Sequence, residues 1–296
     1  MPSPQPIEPR ADAFVLHVGY EPLASNAIDA FASLPERRRQ RVYENLRTNL
    51  GSIDEGLAEL ASTHVAILCI GEHHAGSTRR FVADSLLPAL AVDVLLLEAP
   101  SDRMQLMLEE IDAGVPEVLL LGEDIAAVVR SARRANPSVI VAGIDESDAQ
   151  KAQRIHRGEG SRDRAITANL RSHLGRRKRH AVLFGALHCA DQPNWMYRRV
   201  ILGERRIARE NIRNVNVIGE HQEGSIEAFL EFIHVIGLER RNFMLTTTHA
   251  LDPFIYSWFP ALTRSFLRFD SVIVFAEHTH AHSPGTPTPP VPGSAR

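Results

Sequence analysis

Seven short apolar runs, separated by segments with helical spacing, limit most strongly what this chain can fold into. These runs lack the alternation of apolar and polar residues that marks a half-exposed strand, as in Val94-Leu95-Leu96-Leu97. The predicted strands cover residues 64–70, 93–98, 138–144, 181–187, 213–218, 242–247 and 271–276. This succession predicts a three-layer α/β fold, in which a mainly parallel sheet carries helices on both faces.

Amphipathic segments lie between the predicted strands and ahead of the first one. Helices are predicted over residues 77–91, 102–112, 122–135 and 162–175. Helical spacing between residues 26 and 62, interrupted at Pro35, predicts an N-terminal helical lead-in. The length of 296 residues suits one α/β domain, which we place at residues 13–282. The proline-rich segments 1–12 and 283–296 are predicted to be disordered.

The composition excludes several classes of partner. A net charge of −3 gives no electrostatic drive toward nucleic acid or an anionic membrane surface. No apolar run approaches the roughly 20 residues that span a bilayer, and the N-terminus lacks a signal-peptide pattern. With two cysteines in the chain, a reducing, cytoplasmic location is expected. Cys69 is predicted to lie in the core, and Cys189 to be either a packing residue or a thiol beside the site.

The predicted strands end in carboxylates and imidazoles. These residues are Glu72, His73, His74, Glu98, Asp145, Glu146, His188, Glu220, His221, His249, Glu277, His278 and His280. Carboxylates at such junctions can cap the following helix, whereas imidazolium is unfavourable at a helix N-terminus. Because the carboxyl ends of parallel strands form the edge where ligands bind, this pattern predicts a functional cleft.

Three of these junctions together resemble a known superfamily. They are Gly71-Glu72-His73-His74, Glu98 after the second strand, and Gly185-Ala186-Leu187-His188. Their order is similar to that in erythromycin esterases, ChaN-like haem-binding proteins and Tiki/TraB proteases, over residues 65 to 281. The resemblance implies an α/β fold with a site lined by His and Glu, sometimes with a metal. Alternation sends His73 and His74 to opposite sides, and the family pattern selects His74.

A further segment, Ser161-Arg162-Asp163-Arg164-Ala165, is similar to the Arg-Asp-x-x-Met-Ala segment of erythromycin-esterase-like proteins. There the arginine reaches the site, although Ile166 and Thr167 depart from the family pattern here. Arg162 could hold a substrate carboxylate or stabilise an oxyanion. The alternative is a solvated arginine that starts a helix and pairs with Asp163.

The predicted function is hydrolysis of an ester, lactone or amide in a small-molecule or peptide substrate. Glu72, His74, Glu98 and His188 would bind Zn, Mn, Co or Fe, or a histidine held by a glutamate would deprotonate water directly. His188 would be a second metal ligand, or the acid that protonates the leaving group. A lyase that uses the same groups is also consistent with this interpretation.

The alternative from another class is a ChaN-like haem- or metal-binding protein without catalysis. None of the tyrosines, Tyr20, Tyr43, Tyr197 and Tyr256, lies in a motif tied to haem.

Two further patterns bear on the site. The basic run Arg176-Arg177-Lys178-Arg179 is predicted to be an exposed, dispensable helix terminus. The segments Ile70–Ser77 and Ile218–Ser225 share six of eight residues. This echo is either coincidence or a sign of two strand–helix units that meet across a pseudo-symmetric cleft.

Overall fold

The computed structural model describes residues 20–115, 121–158, 160–175, 178–205, 207–238 and 242–276. The strands are β1 Ile67–Glu72, β2 Val94–Leu97, β3 Ile140–Gly143, β4 His180–Gly185, β5 Ile212–Gly219, β6 Phe243–Leu245 and β7 Ser271–Phe275. Within the described ranges they form one sheet in the order β3-β2-β4-β1-β5-β7-β6, and all pairs except β6–β7 are parallel. The predicted fold class is confirmed.

The helices before β4 are α1 Tyr20–Ala32, α2 Glu36–Asn49, α3 Ile53–Ser62, α4 Gly76–Phe81, α5 Leu87–Leu90, α6 Ser101–Asp112, α7 Glu123–Ala135, α8 Asp148–Arg157 and α9 Arg162–His173. Those after β4 are α10 Ala186–Cys189, α11 Met196–Gly203, α12 Gly224–Val235, α13 Pro253–Trp258 and α14 Leu262–Ser265. Pro35 immediately precedes α2, which explains the interruption in the N-terminal helical pattern. Among the described residues, no helix is both long and apolar enough to cross a bilayer.

Alternating residues of the buried strands build two separate cores. In β1, Ile67 and Cys69 join the core that packs against α1, α2, α9, α11 and α12. Leu68 and Ile70 point the other way, into the core formed with α3, α5, α6 and α7. Each strand therefore contributes apolar area to both faces, which explains why the sequence runs show no period-2 alternation.

One strand runs against the others, and its direction corrects a prediction. Because β6 is antiparallel to β7, the end of β6 lies at the amino edge of the parallel strands. His249 follows β6 and is therefore remote from the edge where β1, β2 and β4 end. Every strand end was expected to share that edge because adjacent apolar runs carry no sign of strand direction.

Candidate functional site

The β1–α4 junction places two adjacent histidines on opposite sides. His74 adopts a left-handed backbone conformation with φ of 55°, which is uncommon for a residue with a β-carbon. Its side chain lies along a cleft at the carboxyl edge of the sheet, whereas His73 Nε2 lies 3.6 Å from Glu223 Oε1. A non-glycine residue held in this conformation often marks a functional site, because the surrounding structure must stabilise it.

Glu72 is the buried carboxylate that orients His74. Its side chain is 3% exposed, and its Oε1 lies 3.0 Å from His74 Nδ1. Arg79 Nε and Nη2 donate to the same oxygen at 3.2 and 3.0 Å. Glu72 Oε2 has no donor among the described residues. Arg79 Nη2 also lies 3.3 Å from His74 Nδ1, but the carboxylate is nearer and can only accept. We therefore assign the proton of neutral His74 to Nδ1, which leaves the lone pair of Nε2 toward the cleft.

The helix after β1 is interrupted where the sequence predicted one helix over 77–91. A π-helical turn, Val82–Leu86, separates α4 from α5. The Leu87 N–H donates to the Val82 carbonyl five residues back, and the Ala83 carbonyl accepts from the Ser131 hydroxyl instead. Pro88, which follows, has no N–H to donate. Arg79 lies on α4, before this turn, and its guanidinium reaches back to Glu72.

Glu98 follows β2 and bridges to β4. Its Oε2 accepts a hydrogen bond from the Gly185 backbone N–H at 2.7 Å and lies 3.8 Å from His74 Nε2. A β-carbon on Gly185 would lie 2.6 Å from His74 Nε2, so glycine is needed for the imidazole to occupy this position. The glycine of the Gly-x-x-His motif thus shapes the cleft.

Arg162, at the start of α9, connects two carboxylates, one after β2 and one after β3. Its Nη2 donates to Glu98 Oε1 at 2.6 Å and to Asp145 Oδ2 at 2.8 Å, and its Nε donates to Asp145 Oδ1 at 2.9 Å. Hydrogen bonds to Asp145 and then to Glu98 raise the pKa of Arg162, against the opposing effect of burial. The side chain of Arg162 is 39% exposed, but its carboxylate partners are Asp145 and Glu98, so the alternative pairing with Asp163 is wrong.

Asp163 instead holds His188. Both carboxylate oxygens lie 3.1 Å from His188 Nδ1, and the Met196 backbone N–H donates to Oδ2. The other ring nitrogen, Nε2, lies 3.1 Å from Arg162 Nη1. With the proton on Nδ1, Nε2 accepts from the guanidinium, so the imidazole connects Asp163 to Arg162. Trp195 and Phe184 contact the imidazole edge to face.

Two site residues were missed or left open at the level of sequence. The sequence allows Asp145 to cap the following helix, but the cap of α8 is Ser147, whose hydroxyl accepts from Gln150 N–H. Glu146 pairs instead with Arg154 at 2.8 Å. Asp163 gave no separate signal, because an acidic residue in the first turn of a helix is ordinary.

The cleft at this edge has a volume of about 200 Å³. Its lining consists of Glu72, His74, Arg79, Leu97, Glu98, Ala99, Leu121, Ile125, Asp145, Arg162 and Leu183. A larger cavity of about 720 Å³ lies at the amino edge, beside Val65 and Asn211. We assign the candidate site to the smaller cleft, because its imidazole and carboxylates converge on one volume.

The larger cavity is lined in part by the basic run, and the contacts of Arg179 there correct the prediction that this run is an exposed helix terminus. Arg179 is partly buried, and its guanidinium donates to the backbone carbonyls of Leu90, Ala61 and Thr63. Lys178 is exposed, as predicted, and Arg176 and Arg177 lie outside the described residues. Arg179 fixes the entry to β4 because it satisfies the carbonyls that end the preceding segments.

The fit of the predicted metal ligands is poor in this arrangement. Glu72 approaches His74 at Nδ1, whereas Glu98 faces Nε2 on the other side of the ring. Arg162 lies between Glu98 and His188, where its positive charge opposes a metal cation. Over the part of the chain described, no three His, Cys, Asp or Glu residues are grouped to hold an ion. The four-residue ligand set stays a prediction, and no chemical step below depends on it.

The haem alternative gains no support from the tyrosines whose side chains are described. Tyr197 OH donates to Asp270 Oδ2 at 2.8 Å, and Tyr256 OH donates to the Thr248 carbonyl at 2.6 Å. Both are bound to protein acceptors away from the cleft, and the Tyr43 side chain packs against the core.

The remaining candidates lie elsewhere. His221 lies between Glu227 and Glu220 at the end of β5, with nitrogen–oxygen distances of 3.0 and 3.2 Å. Cys69 and Cys189 are both fully buried. Cys189 packs in the core against α11, and burial raises the pKa of its thiol. Glu277, His278 and His280 fall outside the described residues.

No family model and no curated protein matches this chain. Solved structures of bacterial toxins do match. One, titled as bacterial protein toxins, is 18% identical over 64% of this chain and 42% of its own, with a TM-score of 0.36. The MARTX toxin effector domain RRSP from Vibrio vulnificus is 15% identical over 67% and 44%, with a TM-score of 0.35. The C-terminal region of Pasteurella multocida toxin, described with a thiol-protease-like catalytic triad, is 12% identical over 67% and 30%, with a TM-score of 0.36.

This chain therefore spans less than half the length of these three structures. Likenesses at these TM-scores carry no argument about the function of this chain.

Proposed function

We propose that this protein is a hydrolase of esters, lactones or amides, in which His74 activates water. The supporting observation is the position of the imidazole: Nδ1 lies 3.0 Å from the buried Glu72 carboxylate, while Nε2 faces the cleft. A base oriented by a second group is the usual arrangement for general-base catalysis. The superfamily of erythromycin esterases and ChaN-like proteins is proposed on the same residues.

The first chemical step is the addition of water to the acyl carbon. Glu98 Oε2 lies 3.8 Å from His74 Nε2, so that both acceptors can contact one water molecule. Nε2 takes a proton from this water as its oxygen bonds to the carbonyl carbon. The carbonyl oxygen becomes an oxyanion, and Glu72 stabilises the imidazolium that forms.

Arg162 is the group that would stabilise the oxyanion. Its Nε and Nη2 are bound by Asp145 and Glu98, whereas Nη1 contacts only His188 among the described residues. The second N–H of Nη1 therefore remains for the developing negative charge. A donor already oriented by carboxylates needs little reorganisation when that charge appears.

Collapse of the tetrahedral intermediate completes the reaction. The bond from carbon to the leaving oxygen or nitrogen breaks, and His74 Nε2–H returns its proton to that atom. The products are a carboxylic acid and an alcohol or amine. In the observed arrangement His188 Nε2 accepts a hydrogen bond from Arg162. We therefore propose that His188 and Asp163 position Arg162, instead of protonating the leaving group.

Turnover of an ester, lactone and amide panel by the purified protein tests this proposal, with parallel assays after chelation and after addition of Zn, Mn, Co or Fe salts. We expect hydrolysis of one substrate class, lost in His74→Ala. Arg162→Lys keeps the charge but loses the planar set of donors, and should lower kcat about 10- to 100-fold. Full activity of both variants would overturn the assignment.

A further inference from the structure

The two guanidinium groups of the cleft are already bound by protein carboxylates. Arg79 donates through Nε and Nη2 to Glu72. Arg162 donates through Nε and Nη2 to Asp145, and through Nη2 to Glu98. The edge of each guanidinium that carries Nε and Nη2 is therefore occupied, and a substrate carboxylate or phosphate would have to compete with a protein carboxylate for it.

The acceptors of the cleft, by contrast, are in excess. Its lining holds three carboxylates, Glu72, Glu98 and Asp145, against the two arginines, which leaves one net negative charge when His74 is neutral. Glu98 Oε2 has one donor among the described residues, the Gly185 backbone N–H, and a carboxylate oxygen can accept a second. A ligand that donates hydrogen bonds or carries positive charge would complete this set.

The rest of the lining is apolar and the space is small. Leu97, Ala99, Leu121, Ile125 and Leu183 form the apolar part of the cleft. The volume of about 200 Å³ corresponds to about seven water molecules. A short aliphatic chain fills such a space, with its polar end placed toward Glu98.

We propose that the cleft binds a short aliphatic group that ends in an ammonium ion, and that it discriminates against carboxylates and phosphates. The proposal rests on the assignment of this cleft as the substrate site of the proposed hydrolase. The substrate class is then an ester or amide with a basic amine near the scissile bond. Glu98 attracts the ammonium, whereas a carboxylate or phosphate has to compete with protein carboxylates for the arginines.

Three ligands of equal length test the charge preference: butylammonium, butanol and butyrate. Binding is measured by isothermal titration calorimetry at low ionic strength, where charge effects are least screened, and by competition in the ester assay where turnover exists. We expect butylammonium to bind at least about tenfold more tightly than butyrate. Equal binding, or tighter binding of butyrate, would overturn the proposal.

Variants assign the preference to Glu98. Glu98→Gln keeps an acceptor for Gly185 N–H and should reduce the ammonium-to-carboxylate preference to near one. Asp112, on α6, forms an exposed ion pair with Arg133 of α7. Asp112→Asn removes one negative charge there and should leave the ammonium-to-carboxylate preference unchanged. If Glu98→Gln does not fold, Asp145→Asn supplies the test, because releasing donors of Arg162 should raise butyrate affinity. If Glu98→Gln, or Asp145→Asn in its place, folds and keeps the wild-type ammonium-to-carboxylate preference, the proposal is contradicted.

The substrate inference and the hydrolase proposal can fail separately. An ammonium preference without turnover of any panel member would support the inference and oppose the hydrolase assignment. Turnover without a charge preference would do the reverse.

Discussion

The ends of β1 and β5 share a sequence but differ in what they build. Ile70-Gly71-Glu72-His73 and Ile218-Gly219-Glu220-His221 lie in adjacent parallel strands, and α4 and α12 begin at the matching glycines, Gly76 and Gly224. The echo therefore corresponds to two neighbouring strand–helix units. They do not face each other across a cleft, because the candidate site lies on the β4 side of β1.

The neighbouring strands explain the difference. Beside the end of β1, β4 supplies Gly185, whose lack of a side chain leaves room for His74. Beside the end of β5, β7 supplies Phe275, which stacks on Phe81 at 4.8 Å between ring centroids. Where β1 has His74, β5 has Gln222, whose amide donates to Ser77 and Thr78. The two strand ends thus differ in the residue after the shared Glu-His pair, which is His74 at β1 and Gln222 at β5, and in the space that the adjacent strand leaves beside it.

The largest expected effect separates the two histidines. His74→Ala should lower kcat by about 100-fold or more, because it removes the proposed base, whereas His221→Ala should change kcat less than about twofold. Both side chains are more than half exposed, at 54% and 55%, so neither change opens a core cavity. Turnover and thermal melts of the two variants measure this contrast. Equal losses of kcat would mean that the two strand ends act together.

The second expected effect tests the space beside β1. In Gly185→Ala the new β-carbon would lie 2.6 Å from His74 Nε2, so the imidazole must move away from Glu98. We expect kcat to fall about tenfold or more, since displacement of a catalytic group by about 1 Å is costly. The pH profile and kcat/KM of this variant provide the measurement. Gly56→Ala is a matched control. Its new β-carbon would contact the flexible Met244 side chain in the core formed with α3, so it should alter stability without altering kcat.

The third prediction concerns the interior of the same two strands. Cys69 and Asn214 face each other across β1 and β5, and Asn214 donates to the carbonyls of Cys189 and Arg268. Cys69→Ser would introduce a more polar group into a fully buried position, at a cost of roughly 1–3 kcal/mol if it gains no partner. Denaturant unfolding should show that loss while kcat of the folded protein stays near the wild-type value. An unchanged free energy of unfolding would show that the serine hydroxyl finds an acceptor.

The smallest expected effect is a pH-dependent one at the end of β3. Hydrogen bonds from Arg154 lower the pKa of Glu146, against the opposing effect of burial. Because the folded-state pKa lies below its ordinary value of 4.5, this pair stabilises the protein above that pH, and the stabilisation is lost as the pH falls through the folded-state pKa. Glu146→Gln should therefore lower Tm slightly at pH 7 and have a smaller effect near pH 3.

Melting curves of wild type and Glu146→Gln at both pH values check the sign. Turnover at pH 7 should stay unchanged, because Glu146 faces Arg154 whereas Asp145 faces Arg162. A loss of activity in Glu146→Gln would place this carboxylate in the site together with Asp145.

The sequence alone determined the three-layer arrangement and the edge of the sheet at which the candidate site lies. Apolar runs without alternation predicted buried strands, since each face of the sheet packs against helices, and all seven predicted strands are present in the described residues. The placement of Glu72, His74 and Glu98 along one cleft followed from parallel strands, whose carboxyl ends share an edge.

Strand direction, neighbours and hydrogen-bond partners were decided only by the tertiary structure. Nothing within residues 242–247 shows that β6 runs antiparallel, so His249 was expected at the wrong edge. The partners of Arg162 lie 17 and 64 positions away in the sequence, at Asp145 and Glu98. Local periodicity determines how a segment folds and which face it buries, whereas the pairing of charged side chains depends on strand order, which is set by the packing of the whole chain.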